Sequence, residues 1–439
     1  MSAFDFFQHW YPLLPVEDLE PSKPTTATVL GIPLVIWKSP HSEKYQVFLD
    51  RCPHRLAPLS EGRVDEQTGN LMCSYHGWQF DQDGACTRIP QADKPELVTK
   101  NQQNFCATTF PSIEQNDLLW VWMDKSSPEL AARNPLPLSP KIDTAKGFVW
   151  SSMVRDLEYD WRTLVENVAD PSHVPFAHHG IQGNRDKAKL IVLDILQSTI
   201  DLIEVETKRP FKTTITFQPP CRLEYGISFG DGSNVKQIGL ITYCIPVTPG
   251  KSRIVAQFAR NFATKFHSLT PRWWDHLQNR NLILDGDMVL LHQQESLLQS
   301  SSWKDVYTMP TTADLLVIEV LKWFDRYCDG KIPWDKAVET NLQTTFSTPR
   351  EVLLNRYDQH TRHCSSCRNA LKTIIFWQWL LLTYFIATIS VVAVLPDTLR
   401  ISWGIWLMLT ALIGLGIATG LRFWLMPKFY FVDYVHSEK

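Results

Sequence analysis

Along the first 125 residues, short β-branched and aromatic runs alternate with turn signals: Thr28–Trp37, Tyr45–Leu49, Leu71–Phe80 and Leu118–Met123. That pattern predicts a small antiparallel β domain. Four prolines between Ser126 and Pro140 (128, 135, 137 and 140) mark its end. From about 148 to 362 the pattern is mixed. A helical segment precedes alternating runs at Ser198–Thr207, Thr213–Phe217, Arg222–Phe229, Gln237–Ile245 and Arg253–Phe262. Pro271–Leu298 and Ala313–Cys328 read as amphipathic helices, so this region predicts an α+β domain.

The C-terminus has a different pattern. Ile374–Leu395 and Ile401–Leu421 are uncharged runs of 22 and 21 residues, each long enough to cross a bilayer. Pro396–Arg400 joins them into an expected transmembrane helical hairpin. Arg362, Arg368 and Lys372 precede it, and Arg422, Lys428 and Lys439 follow. The positive-inside rule then puts the N-terminal part on the cytoplasmic or stromal side. Trp377, Trp379, Trp403 and Trp424 stand where interfacial anchors would, and Gly416-Ile-Ala-Thr-Gly420 offers a close-packing face.

Composition narrows the function. The 439 residues carry a net charge of -3 in near balance, so nothing suggests a nucleic-acid partner. Nine cysteines without a secretory signal argue against a disulfide scaffold and favour metal or redox roles.

Two cysteine–histidine pairs carry the strongest chemical signal. Cys52-Pro-His54 and Cys73-Ser-Tyr-His76 are separated by 18 residues. Such pairs on two loops can bind zinc or a [2Fe–2S] cluster. The one-residue and two-residue gaps fit a Rieske centre better than a zinc knuckle, because a Rieske centre has two His and two Cys ligands. Downstream lies Asn167-Val-Ala-Asp170-Pro-Ser-His173-Val-Pro-Phe-Ala-His178. A mononuclear iron(II) site needs two His and one carboxylate with positions open for O₂ and substrate. On an unbroken helix His173 and His178 would point about 140° apart. Pro175 between them must kink or unwind the segment, which can bring both rings to one metal. His179 fits the spacing less well and reads as a supporting donor.

Cys52-x-His54-x₁₈-Cys73-x₂-His76-Gly-Trp resembles the signature of the Rieske non-heme iron oxygenases, and the Asn167–His178 motif resembles their mononuclear iron motif. The resemblance implies an N-terminal antiparallel β Rieske domain (1–130) and a helix-grip α+β catalytic domain (141–362). A Cys-x₂-Cys linker (363–373) and two transmembrane helices (374–421) complete the expected layout. It also implies an iron-binding Asp from a later helix; Asp287 in Gly286–Glu295 matches, whereas Asp285 would face elsewhere on a helix. His292 reads as a surface or core histidine. In the family, the Asp matching Asp170 links a cluster His of one subunit, here His76, to an iron His of the next, here His173. A homotrimer is therefore expected, with Asn167 supporting the pocket.

The hairpin, the Asp170–Gly180 stretch and Arg362-His-Cys364-Ser-Ser-Cys367 together resemble the pheophorbide a oxygenase group. That implies oxygenation of a chlorophyll-related tetrapyrrole of pheophorbide a, phyllobilin or protochlorophyllide type, with O₂ as co-substrate and reduced ferredoxin as donor. The alternatives are oxygenation of another apolar ring, such as a sterol, and a membrane-bound Rieske electron carrier or redox sensor at a translocon or photosynthetic complex. Cys364 and Cys367 are expected to form a dithiol switch open to thioredoxin. A third metal site is disfavoured, with only His363 nearby. The expected location is a cyanobacterial thylakoid or plasma membrane, or the chloroplast envelope; no transit peptide is visible, as fits a cyanobacterium or a trimmed chain.

Overall fold

Turn chemistry, rather than the apolar runs alone, sets the strand boundaries of the N-terminal region. In the computed structural model the run expected over Thr28–Trp37 divides into strands Thr25–Val29 and Ile32–Lys38. Leu30 and Gly31 between them both have positive φ, 53° and 80°, as a two-residue hairpin turn requires. These strands join Tyr45–Leu49 and Thr109–Phe110 in a four-stranded antiparallel sheet. A second sheet of short strands holds Arg63–Val64, Leu71–Met72, Gln79–Phe80 and Cys86–Arg88. Trp10–Pro15, Leu118–Trp122 and Ser112–Gln115 form a third. Val35, Trp37, Phe48, Leu59, Leu71 and Phe80 close the core under Cys52 and Cys73. The described residues are 3–96, 105–209, 211–230, 235–298, 302–335 and 348–438.

The chain divides into two compact units: Met1–Leu269 with Asp287–Ser347, and Thr270–Gly286 with Thr348–Lys439. The second thus takes in 270–286 and 348–362, which lie inside the catalytic domain that the family resemblance implies.

The first unit also holds a seven-stranded antiparallel sheet. Its order runs Val149–Leu157, Lys251–Arg260, Lys236–Thr248, Arg222–Phe229, Lys212–Gln218, Ile203–Thr207 and Asp194–Ser198. Helix Trp161–Ala169 follows the first edge strand and packs on the sheet. Trp161 anchors it, with the indole N–H donating to the Cys244 carbonyl at 3.0 Å and the ring packed on Phe6 and Phe324. The Tyr225 hydroxyl donates to Val168 O at 2.8 Å and so fixes the helix's last turn, just before Asp170.

The second unit is built on two helical runs, Ser365–Val394 and Asp397–Phe429, both long and apolar enough to cross a membrane. Phe376, Trp377, Trp379, Trp403, Trp406 and Trp424 all point outward. Arg400 ties the intervening turn, donating to the Leu395 carbonyl at 2.8 Å and so capping the first helix's C-terminal end. Two expectations are corrected here. Residues 363–373 are not a linker, because the helix begins at Ser365 with Cys364 at its N-cap. Gly416 and Gly420 do not form the close-packing face, since a Cβ at either meets nothing within 4 Å. The buried small residues are instead Ala411, Gly414 and Ala418, with Gly414 facing Leu381 and Tyr384.

Candidate functional site

The four Rieske-type residues lie on two loops of matching shape. Cys52 N–H donates to Ala57 O, and Cys52 O accepts from Leu56 N–H; Cys73 N–H donates to Trp78 O, and Cys73 O accepts from Gly77 N–H. Leu56 and Gly77, each four residues after its cysteine, both turn the chain through positive φ, 61° and 70°. The loops bring the His54 and His76 rings to 4.5 Å between centroids. Trp78 stacks on His54 at 4.7 Å and 7°, and Tyr75 lies against His76. Both thiols are buried. Burial, with the Cys73 thiol alongside, pushes Cys52 up to about 11. His54 Nδ1 is shut off from water and has no hydrogen-bond partner among the described residues. Two buried thiols beside an imidazole nitrogen with no hydrogen-bond partner are what a cluster-binding site presents. These residues fit a [2Fe–2S] centre.

The second constellation comes from one broken helix and one long helix. After Ala169 the chain leaves the helix at Asp170, makes a single turn at Val174–Ala177, and leaves it again at His178. Unwinding on both sides of Pro175 removes the 140° divergence, and the two rings lie 5.1 Å apart. Asp287, on helix Asn281–Leu298, completes the group. Its Oδ1 is 3.4 Å from His178 Nε2 and 3.9 Å from His173 Nε2. One ligand atom from each of the three residues lies within 4.8 Å of the other two. Two contacts fix the helix beside them: His292 Nδ1 lies 2.6 Å from Glu158 O, and Asp160 N–H donates to Glu295 at 2.5 Å. Two imidazoles and one buried carboxylate converging on a point fit a mononuclear iron with open positions.

Asp170 is held by the Ser172 N–H (2.7 Å) and hydroxyl (2.6 Å), and its Oδ2 faces His173 Nδ1 at 3.6 Å. Burial would raise its carboxyl, but His173 and Ser172 outweigh burial and hold it below the usual range. Burial likewise works to lower His173, yet Asp170 and Asp287 leave it raised. Asn167 is half-buried on the preceding helix's last turn. His179 turns away to accept the Arg185 amide at 3.1 Å, which ties down its own loop rather than the site. Asp285 also turns away, into a fully buried ion pair with Arg356. Cys364 and Cys367 belong to the second unit and are both fully buried. His363 faces Arg362 Nε at 3.2 Å. Two residues missed in the sequence, His276 and His360, accompany the cysteines.

Glu295 supplies a pH-dependent prediction. Burial first, then the neighbouring Asp160 charge, raises it from 4.5 to about 7. A raised folded-state pKa contributes stability that is complete below about pH 4.5 and lost as pH rises through about 7. Glu295→Gln keeps the acceptor oxygen and removes the titration. Its melting temperature should match wild type near pH 4 and exceed it at pH 8, by the equivalent of about 1–3 kcal/mol. Equal pH profiles for the two proteins would refute the assignment.

Comparison with known proteins gives a consistent pattern. Residues 9–111 match the Rieske [2Fe-2S] domain family, and residues 217–304 match the pheophorbide a oxygenase family. The chain is 37% identical to chloroplastic pheophorbide a oxygenase of Oryza sativa subsp. japonica, over 99% of this chain and 85% of that protein. It is 35% identical to chloroplastic flavonoid 8-hydroxylase 2 of Ocimum basilicum, over 84% and 75% respectively. Among solved structures, dicamba monooxygenase bound to 3,6-dichlorosalicylic acid shares the fold with TM-score 0.63 at 19% identity, covering 74% of this chain and 98% of its own.

Proposed function

The chain belongs to the pheophorbide a oxygenase family of Rieske non-heme iron oxygenases, and from that premise we propose that it oxygenates a chlorophyll-related tetrapyrrole at a membrane. It is an oxidoreductase that uses a [2Fe–2S] cluster, mononuclear iron and O₂. When bound, the cluster supplies single electrons and the iron activates O₂. The chain's own residues do the remaining work. Cys52, His54, Cys73 and His76 would hold the cluster, and His173, His178 and Asp287 would hold the iron. Asp170 faces His173 Nδ1 at 3.6 Å and biases the ring electrostatically, and Asn167 supports the pocket from the preceding turn. Reduced ferredoxin is the electron donor.

The observation that carries the enzyme reading over a pure electron carrier is the His173–His178–Asp287 convergence, which electron carriage alone does not need. Exposed Leu56 and Tyr75 flank the cluster loops and exposed Phe176 sits in the iron motif, which supports head-to-tail docking of cluster to iron in a trimer. The two apolar helices support membrane attachment with basic flanks inside, beside a substrate that partitions into lipid. A chloroplast or thylakoid setting follows from the proposed substrate. A thioredoxin-linked switch is disfavoured, because Cys364 and Cys367 are both fully buried and closed to an external dithiol.

A flavonoid ring is the second reading, favoured by the Ocimum basilicum flavonoid 8-hydroxylase at nearly the same identity. Purified full-length protein with reduced ferredoxin and ¹⁸O₂ separates the two readings. Label incorporated into pheophorbide a or a related tetrapyrrole, with none into a flavone, is expected; labelled flavone alone would transfer the assignment to the second reading.

A further inference from the structure

In the second unit, four side chains from three chain segments point at one another. His276 lies in a helical turn, His360 in the turn Tyr357–Thr361, Cys364 at the N-cap of helix Ser365–Val394 and Cys367 in its first turn. His276 Nδ1 is 3.1 Å from His360 Nε2, 3.6 Å from Cys364 Sγ and 3.7 Å from Cys367 Sγ. His360 Nε2 is 3.4 Å from Cys367 Sγ. All four residues are buried, at 0–1% exposure.

We propose that His276, His360, Cys364 and Cys367 form a structural zinc site at the base of the apolar helices. Tetrahedral zinc, with bonds of about 2.0–2.1 Å to nitrogen and 2.3 Å to sulfur, sets its ligands about 3.3 Å apart for N–N and about 3.6 Å for N–S. The four separations match that edge pattern. A second Rieske cluster uses the same residue types but puts cysteines and histidines on different irons. Here each sulfur lies within 3.7 Å of an imidazole nitrogen, which leaves room for one ion and not for a cluster. An N₂S₂ tetrahedron selects zinc. Because the protein supplies all four positions, the site is closed and structural rather than catalytic.

The surroundings fit thiolate ligands. Arg272 Nη2 donates to Cys364 Sγ at 3.1 Å, while Trp273 N–H donates to Ser366 Oγ and steadies the turn between the cysteines. Leu277, Leu371, Ile374, Leu425 and Phe429 pack around the sulfurs. In so apolar a setting the single Arg272 guanidinium does not balance two thiolates, and one divalent ion neutralises the pair. A dithiol switch explains neither the two converging imidazoles nor the burial. The metal would pin the first apolar helix to residues 276 and 360 at its first turn, so part of the unit's folding free energy would be zinc-binding free energy.

The full chain, purified in detergent without chelator, is to be analysed by elemental mass spectrometry. One zinc per chain is expected in addition to iron, and Cys364→Ser/Cys367→Ser should lose the zinc while keeping its iron. Since that variant can fail to fold, wild-type protein stripped of zinc and loaded with Co²⁺ gives a second readout. Visible d–d bands with thiolate-to-cobalt charge transfer are expected. A zinc-free wild type, a cobalt spectrum without thiolate charge transfer, or alkylation of both thiols in the native protein would each overturn the proposal.

Discussion

Asp287→Ala is expected to abolish oxygenation while leaving the cluster's visible and EPR spectra unchanged. The carboxylate is the only anionic group of the three that converge, and its Oδ1 stands 3.4 Å and 3.9 Å from the two imidazoles. Two neutral imidazoles alone lose both the charge and the third point that fix a ferrous ion on one face. The fall in turnover should exceed the 10–100-fold typical of losing an outer-shell partner. Asp285→Ala makes the opposite prediction from only two residues away. Its carboxylate pairs with Arg356 in a fully buried contact, and removing it leaves an uncompensated charge. About 3–5 kcal/mol of stability should go, read as a fall in melting temperature. Iron loss from Asp285→Ala with stability intact, or retained activity in Asp287→Ala, would reverse the two roles.

Asp170→Asn should keep both metal contents and still cut turnover by about 10–100-fold. Asn keeps an oxygen for the Ser172 amide but loses the charge that faces His173 Nδ1 at 3.6 Å. In the trimer reading the same carboxylate also meets the next subunit's cluster histidine. The slow step in single turnover should therefore be reoxidation of the reduced cluster rather than product release. Subunit mixing separates the trimer from a self-sufficient monomer. Oligomers mixing a cluster-dead His76→Ala subunit with an iron-dead His178→Ala subunit should recover part of the activity that neither has alone. No recovery in verified mixed oligomers would confine electron transfer to single chains.

Local spacing made the proposed cluster ligands legible, because Cys52/His54 and Cys73/His76 sit on short loops whose geometry the gaps constrain. The break at Pro175 was legible for the same reason, since a proline inside a helix has few outcomes. Choosing Asp287 over Asp285 needed the family resemblance, and its physical cause emerges only in three dimensions, where Asp285 is taken by Arg356. His276 and His360 could not be joined to the cysteines in advance. His360-x₃-Cys364-x₂-Cys367 is a metal-like spacing, but His276 lies 84 residues before His360, and nothing local marks it. Gly416 and Gly420 misled because the four-residue spacing does not say which helix face meets a neighbour; the buried face runs through Ala411, Gly414 and Ala418. Residues 363–373 looked like a linker because they are more polar than the run after them, yet their backbone continues the helix from Ser365.

Total iron and acid-labile sulfide per chain, in wild type and His173→Ala, test the central claim most directly. Three irons and two sulfides in wild type, falling to two irons and two sulfides in the variant, are predicted by one Rieske cluster plus one mononuclear site. Two irons and two sulfides in both proteins would contradict it and leave a cluster-bearing electron carrier in its place.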